Sequence, residues 1–129
     1  MSLKDAAEKV REKAYAPYSR FQVGAAILAD DGQIYAGCNV ENAAYPVGNC
    51  AEPSAIAAML AGGGKRIKRI YITGPGTMAV TPCGGCRQRI REFADLDVGI
   101  VSHGVDGEPL ICTLEQLLPH SFGPEYLPK

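Results

Sequence analysis

Four residues have the types and the spacing to do chemistry: Cys50, Glu52 two positions on, and the pair Cys83 and Cys86 in the run Pro82-Cys83-Gly84-Gly85-Cys86. Three thiolates can hold one zinc ion and leave its fourth position to water, and a carboxylate outside the ligand set can move that water's proton. Cys83 and Cys86 open a helix after a proline-bearing loop. Residues three apart on a helical turn lie within about 60° of each other, so both sulfurs address one ion. Cys50 opens the other core helix, and two converging helix amino termini offer N–H groups and partial positive charge, which should lower the thiol pKa values. Glu52 projects to a different helical face from Cys50, which argues for a carboxylate beside the water rather than on the metal. There it is a general acid/base, and the chemistry is that of a hydrolase using one zinc ion per subunit.

The elements that must position these residues follow from the hydrophobic pattern. Leu3, Ala6, Ala7, Val10 and Ala14 recur at helical spacing among charged residues, predicting an amphipathic helix from Ser2 to about Ala14, ended by Pro17. Phe21 to Ala29 and Gln33 to Val40 read as strands, joined antiparallel by the turn Asp30-Asp31-Gly32. Residues 42–49 are loop. From Cys50 to Leu60 an alanine-rich helix suits close packing on a sheet, and Gly62-Gly63-Gly64 stops it. Strands are expected at Arg69 to Gly74, Val98 to Ser102 and Leu110 to Cys112. A helix is expected at Gln88 to Ala94, with Ile90 and Phe93 inward, and a last helical turn at Thr113 to Leu118, capped by Thr113. Helical crossovers should set the later strands parallel with helices on the sheet's faces. The expectation is an α/β fold, a three-layer α/β/α sandwich with a mixed five-stranded sheet, ending in an irregular tail over 119–129.

The chain has 129 residues, 47% of them hydrophobic and 21% charged, with a formal net charge of -1. That is one ordinary globular domain over 1–129, large enough to bury a core without disulfides. Near-neutral charge gives no electrostatic reason for a nucleic-acid partner. No apolar run approaches the roughly 18 residues that span a bilayer, so no membrane role is expected. Five cysteines, an odd number, with no secretory signal at the amino terminus, read as reduced thiols in the cytoplasm, available to a metal.

Cys50-Ala51-Glu52 with Pro82-Cys83-Gly84-Gly85-Cys86-Arg87-Gln88 resembles the small zinc-dependent cytidine deaminases in their all-cysteine variant. The likeness runs along almost the whole chain: Tyr18-Ser19-Arg20-Phe21, Asn39-Val40-Glu41-Asn42-Ala43-Ala44-Tyr45-Pro46, Leu117-Leu118-Pro119 and Phe122-Gly123-Pro124. The resemblance implies hydrolytic removal of the 4-amino group of cytidine or deoxycytidine, with metal-activated water attacking C4 and Glu52 protonating N3 and then the departing amine. It further implies that Asn39 and Glu41 hold the ribose, that Phe21 packs near the base and that the backbone at Ala51 meets the pyrimidine oxygen. It implies a homotetramer with shared active sites, in which Tyr45 and Phe122 complete a neighbour's pocket. The chain departs from the family in two places. Pro53 stands where many members carry an arginine that offsets surplus thiolate charge, leaving the helix dipoles and Arg87 as candidates for that task. Gln22 stands where proline is usual, beside Phe21, and bears on which pyrimidine fits.

Plainer readings compete. The three cysteines could form a closed structural zinc site with Cys38 or His103 as fourth ligand, which leaves Glu52 without a role; a CxxC pair at a helix start is also a redox motif. Cys38 and Cys112 read as small buried residues in strands, and His103 and His120 as surface or loop residues. A deaminase acting on a modified cytidine or a cytosine-type antibiotic, a non-catalytic zinc-binding interaction module and a polynucleotide deaminase are the rival functions. The last is disfavoured because no basic stripe is apparent.

Overall fold

The structure is a computed structural model that describes residues 1–128. Five strands, β1 (Gly24–Ala29), β2 (Ile34–Cys38), β3 (Ile67–Gly74), β4 (Ala94–Gly104) and β5 (Leu110–Thr113), form one sheet in the order β2-β1-β3-β4-β5. The turn after β1 places Gly32 at φ 81°, a conformation only glycine adopts freely. The hairpin it closes pairs β1 and β2 antiparallel, as the sequence predicts.

Among the described residues, four α-helices cover the sheet. The first, α1 (Leu3–Arg11), lies on one face, where Ala6 and Ala7 meet Ala26, Tyr71 and Val101. The other three, α2 (Ala51–Ala61), α3 (Gly84–Phe93) and α4 (Leu114–Leu117), lie on the opposite face. There Ala55, Met59, Ile90 and Leu114 pack on Ile27, Ile70, Ile72 and Ile100, all of them fully buried. Each such isoleucine contributes about 1.5–3 kcal/mol of burial, so this layer fixes α2 and α3 on the sheet. The three-layer α/β/α expectation holds.

Strand direction follows the crossover expectation wherever a helix makes the connection, and the sheet is mixed. Only β3 and β4 are parallel neighbours; β1 pairs antiparallel with β3, and β5 antiparallel with β4. The crossover through α2 does make β2 and β3 run the same way, but β1 lies between them. A short turn rather than a helix joins β4 to β5, so that pair folds back as a hairpin.

Element ends shift. The first helix stops at Arg11 instead of continuing to Ala14, because Lys13 and Ala14 close tight turns onto the carbonyls of Val10 and Arg11 and Tyr15 then bonds Asn39 and Glu41. Phe21 to Val23 are outside β1, since the Asn39 side chain takes both the Val23 N–H and the Phe21 carbonyl. Both ends of β4 extend past the expected strand; α3 runs straight into it at Ala94, which pairs with Ile67 across an irregularity. The α3 helix begins at Gly84, upstream of the expected Gln88, with Cys83 at its N-cap. Thr113 caps α4 through a capping box with Gln116. The tail carries a 3-10 turn at Pro124–Tyr126; Lys129 of the expected irregular segment lies outside the described residues.

Candidate metal centre and active site

Two helix starts build the centre. Cys50 is the N-cap of α2 and Cys83 the N-cap of α3, and neither side chain is spent on capping. The backbone at both caps is fixed: Ser54 Oγ donates to the Cys50 carbonyl, Asn49 Nδ2 donates to Ser54 Oγ, and the Arg87 N–H donates to the Cys83 carbonyl. Cys86 follows on the first turn of α3, fully buried. The three Sγ atoms lie within 4.8 Å of one another, and among the described residues no fourth histidine, cysteine or acid joins them.

This donor set fits zinc. Sulfur ligands sit about 2.3 Å from the ion in a tetrahedral site, and three sulfurs this close converge on one such point. The thiols' own chemistry points the same way. Only Cys83 is held below the ordinary thiol range, chiefly by the Cys86 backbone N–H; burial pushes Cys50 up, and burial with the charge of Glu52 pushes Cys86 far up. The expectation that both helix starts lower their thiols therefore fails at Cys50, where lost hydration outweighs the helix terminus. Three thiolates beside a carboxylate are crowded negative charge, which a divalent cation relieves.

Glu52 is 4% exposed. Burial raises its carboxyl above the ordinary carboxylate range, against opposing pulls from the Cys86 thiol and the Arg89 charge. A carboxyl tuned upward beside a metal site is suited both to accept and to return a proton.

Above these groups lies a cavity of about 320 Å³. It is lined by Cys50, Cys83, Cys86, Glu52 and Ala51 together with Phe21, Val23, Asn39, Glu41, Val80 and Thr81. Of the residues singled out from sequence, Phe21, Asn39, Glu41, Cys50, Ala51, Glu52, Cys83 and Cys86 meet in this one space; Tyr45 does not. It lines an adjoining cavity of about 250 Å³ with Tyr18, Ser19, Glu41 and Asn42, and its ring lies 5.9 Å from that of Tyr18. Phe122 borders neither cavity. It stacks on Tyr126 at 4.9 Å and its carbonyl accepts from Gln88 on α3.

Asn39 and Glu41 are already employed within the chain. Asn39 accepts from the Val23 N–H at 2.8 Å and donates to the Phe21 carbonyl at 2.9 Å. Glu41 Oε1 accepts the N–H groups of Tyr18 and Ser19, and Oε2 accepts the Ser19 hydroxyl. These bonds hold the Glu41 carboxyl below the usual carboxylate range, the Ser19 hydroxyl foremost. They also fix the Tyr18–Phe21 loop, whose Arg20 sits at φ 60°. Ser19 is a residue that sequence reasoning missed: its Oγ also accepts from the Phe21 N–H at 3.0 Å, tying the carboxylate to the aromatic wall. The quoted run Tyr18-Ser19-Arg20-Phe21 was the available signal.

Several expectations need correction. Gln22, beside Phe21, turns away from the cavity: its Nε2 donates to the Ala14 carbonyl and its own carbonyl accepts from Arg11. Arg87 is directed at the carbonyls of Pro82 and Leu117 rather than at the thiols. His103 is buried in β4, not at the surface; it is 5% exposed and bonded to the Tyr71 hydroxyl and the Gly107 carbonyl. Neither it nor Cys38 joins the cysteine cluster. Cys38 and Cys112 are half-buried in β2 and β5, and His120 is exposed in the tail.

Comparison with known proteins accounts for this geometry. Residues 2–102 match the family model of the cytidine and deoxycytidylate deaminase zinc-binding region. The cytidine deaminase of Sporosarcina psychrophila is 42% identical over 93% of this chain and 88% of its own length. That of Mycobacterium tuberculosis is 41% identical over 90% of this chain and 84% of its own. The crystal structure of cytidine deaminase from Burkholderia pseudomallei superposes with a TM-score of 0.89 at 40% identity, covering 95% of this chain and all of that one. The cysteine cluster, the sheet order and these likenesses agree, and the chain belongs to the cytidine and deoxycytidylate deaminase zinc-binding family.

Proposed function

We propose that this protein deaminates cytidine or deoxycytidine hydrolytically, giving uridine or deoxyuridine and ammonia, with Cys50, Cys83 and Cys86 holding one zinc ion and Glu52 moving the protons. The observation that carries the reading is the buried Glu52 carboxyl beside a three-sulfur cluster that no fourth protein ligand closes among the described residues. When bound, zinc supplies an acidified, polarised water in its open position. Glu52 would accept one proton from the attacking water and pass it to N3 as the C4–O bond forms, then accept that oxygen's remaining proton and pass it to the amine as the C4–N bond breaks, so both delivered protons come from the one water. Its raised pKa suits a group that must give back what it takes.

The rest of the cavity binds and orients. Phe21 packs along the base, the Ala51 backbone meets the pyrimidine oxygen, and Asn39 and Glu41 present their unused hydrogen-bonding capacity to the sugar hydroxyls. With those two residues pinned by the Ser19 loop, the sugar meets preset rather than mobile partners. Ammonia release measured on cytidine, deoxycytidine and free cytosine tests this division of labour. Turnover of both nucleosides is expected, with cytosine slower by more than about tenfold in kcat/KM; equal rates on cytosine would remove the sugar role of Asn39 and Glu41. The lining offers no support for a modified-base specificity at Gln22, whose side chain donates to the Ala14 carbonyl.

The chain works as one domain over 1–129 and assembles as a homotetramer whose pockets are completed by Tyr45 and Phe122 of neighbouring copies. Supporting this, Tyr45 and Phe122 are 75% and 54% exposed, although large aromatics ordinarily seek burial. A cytoplasmic setting, which keeps five thiols reduced, completes the proposal. No helix among the described residues is long and apolar enough to cross a membrane.

A further inference from the structure

Three thiolates on one divalent ion leave a surplus negative charge, and an ionised Glu52 beside them adds another. Surplus charge of that kind weakens the hold on the metal and makes the bound water less acidic. The three arginines that follow Cys86 on α3 are the nearest candidates to offset it, and they are committed differently. Arg87 donates to the carbonyls of Pro82 and Leu117 at 2.7 Å and 2.8 Å. Arg91 is tied to Ser121 and paired with Glu125. Arg89 alone turns back along the helix, placing Nη1 4.0 Å from Cys86 Sγ.

Two further observations fit Arg89 to that place. A side chain at Gly85 would put its Cβ 3.1 Å from Arg89 Nη1, so the glycine leaves room for the guanidinium over the first turn of α3. Among the described residues the ion pairs are Arg66 with Asp95 and Arg91 with Glu125, so no carboxylate draws Arg89 away. Pro53, next to Glu52 in α2, brings no charge. The Arg89 charge also pulls the Glu52 carboxyl downward against burial.

We infer that Arg89 is the charge partner of the metal centre: seated against Cys86 Sγ, its guanidinium offsets the surplus thiolate charge and strengthens the grip on zinc. The inference rests on the zinc-deaminase reading only for the identity of the ion. Arg89 acts through Cys86 and is a positioning residue.

Zinc affinity measured by competition with a fluorescent chelator, on parent, Arg89→Lys, Arg89→Gln and Arg89→Glu, tests it without reference to turnover. Arg89→Gln is expected to bind zinc about 10- to 100-fold more weakly, Arg89→Glu more weakly still, and Arg89→Lys within a few fold of the parent. The gap between parent and Arg89→Gln should narrow at high salt, because the group is exposed and its field is screened. Unchanged affinity in Arg89→Gln overturns the inference, and so does an equal loss in all three variants, which would mark a role in shape rather than charge. Turnover of cytidine by the zinc-loaded parent reports on the deaminase reading separately, so the two can fail independently.

Discussion

Glu52 is buried beside the three thiols, and the same burial that tunes it for proton transfer makes it a burden on the fold. In the zinc-free protein its carboxyl keeps its proton to higher pH folded than unfolded, so stability falls as pH rises above the ordinary value of 4.5 and levels off above the folded pKa. Glu52→Gln removes that penalty. The melting temperature of the zinc-free variant should therefore exceed that of the parent by a margin that widens upward from pH 4.5, on the order of a few degrees; a margin constant with pH would show that the carboxyl is not raised. At this scale the sequence is informative where side-chain type alone fixes the chemistry. Sulfur at positions 50, 83 and 86 beside a carboxylate at 52 admits few readings. Direction is a different matter. Whether Arg87 or Arg89 faces the thiols depends on the Leu117 carbonyl, thirty residues away, which captures Arg87. Likewise Gln22 stands next to Phe21 in sequence, yet its side chain bonds the Ala14 carbonyl beyond the end of α1.

The elements work because α2 lies almost in contact with β2. A Cβ on Gly37 would stand 2.3 Å from the Ala55 backbone nitrogen and 2.7 Å from Ser54 Cβ, so α2 can approach only over a glycine. Gly37→Ala should push the helix outward, cost about 1–3 kcal/mol and displace Cys50 and Glu52 together. Thermal denaturation and kcat should both fall; loss of stability with unchanged kcat would mean that the start of α2 is positioned independently of β2. Thr113→Ala, which removes the cap of α4, should cost about 1 kcal/mol with little effect on kcat, since α4 does not line the cavity. Hydrophobic periodicity and the Asp-Asp-Gly turn made the elements and the first hairpin legible. Their ends were not, because side chains set them: Asn39 withholds Phe21 to Val23 from β1, and turns closing onto Val10 and Arg11 end α1. Strand direction was partly legible, since a crossover orders β2 and β3 but does not reveal that β1 lies between them.

At the scale of the molecule, the tail is tied to the metal-bearing helix. Gln88 and Arg91 of α3 hold the Phe122 carbonyl, Ser121 and Glu125, so the exposed Phe122–Tyr126 stack is carried on the same helix that carries Cys86. In the proposed tetramer this stack meets another copy, and Phe122→Ala should lower the mass measured by light scattering and raise KM for cytidine. A tetramer with unchanged KM would place Phe122 outside every pocket. Periodicity does not mark such a surface; the run Phe122-Gly123-Pro124 pointed to it only through the family resemblance, and the tail's order comes from contacts with one helix. The central claim is that Glu52 moves protons for a zinc site made of Cys50, Cys83 and Cys86. Its most direct test is cytidine turnover by Glu52→Gln, with zinc content determined on the same sample. The account expects one zinc per chain retained and turnover lower by roughly 10²- to 10⁴-fold or more; parental turnover in a zinc-replete Glu52→Gln protein would contradict it.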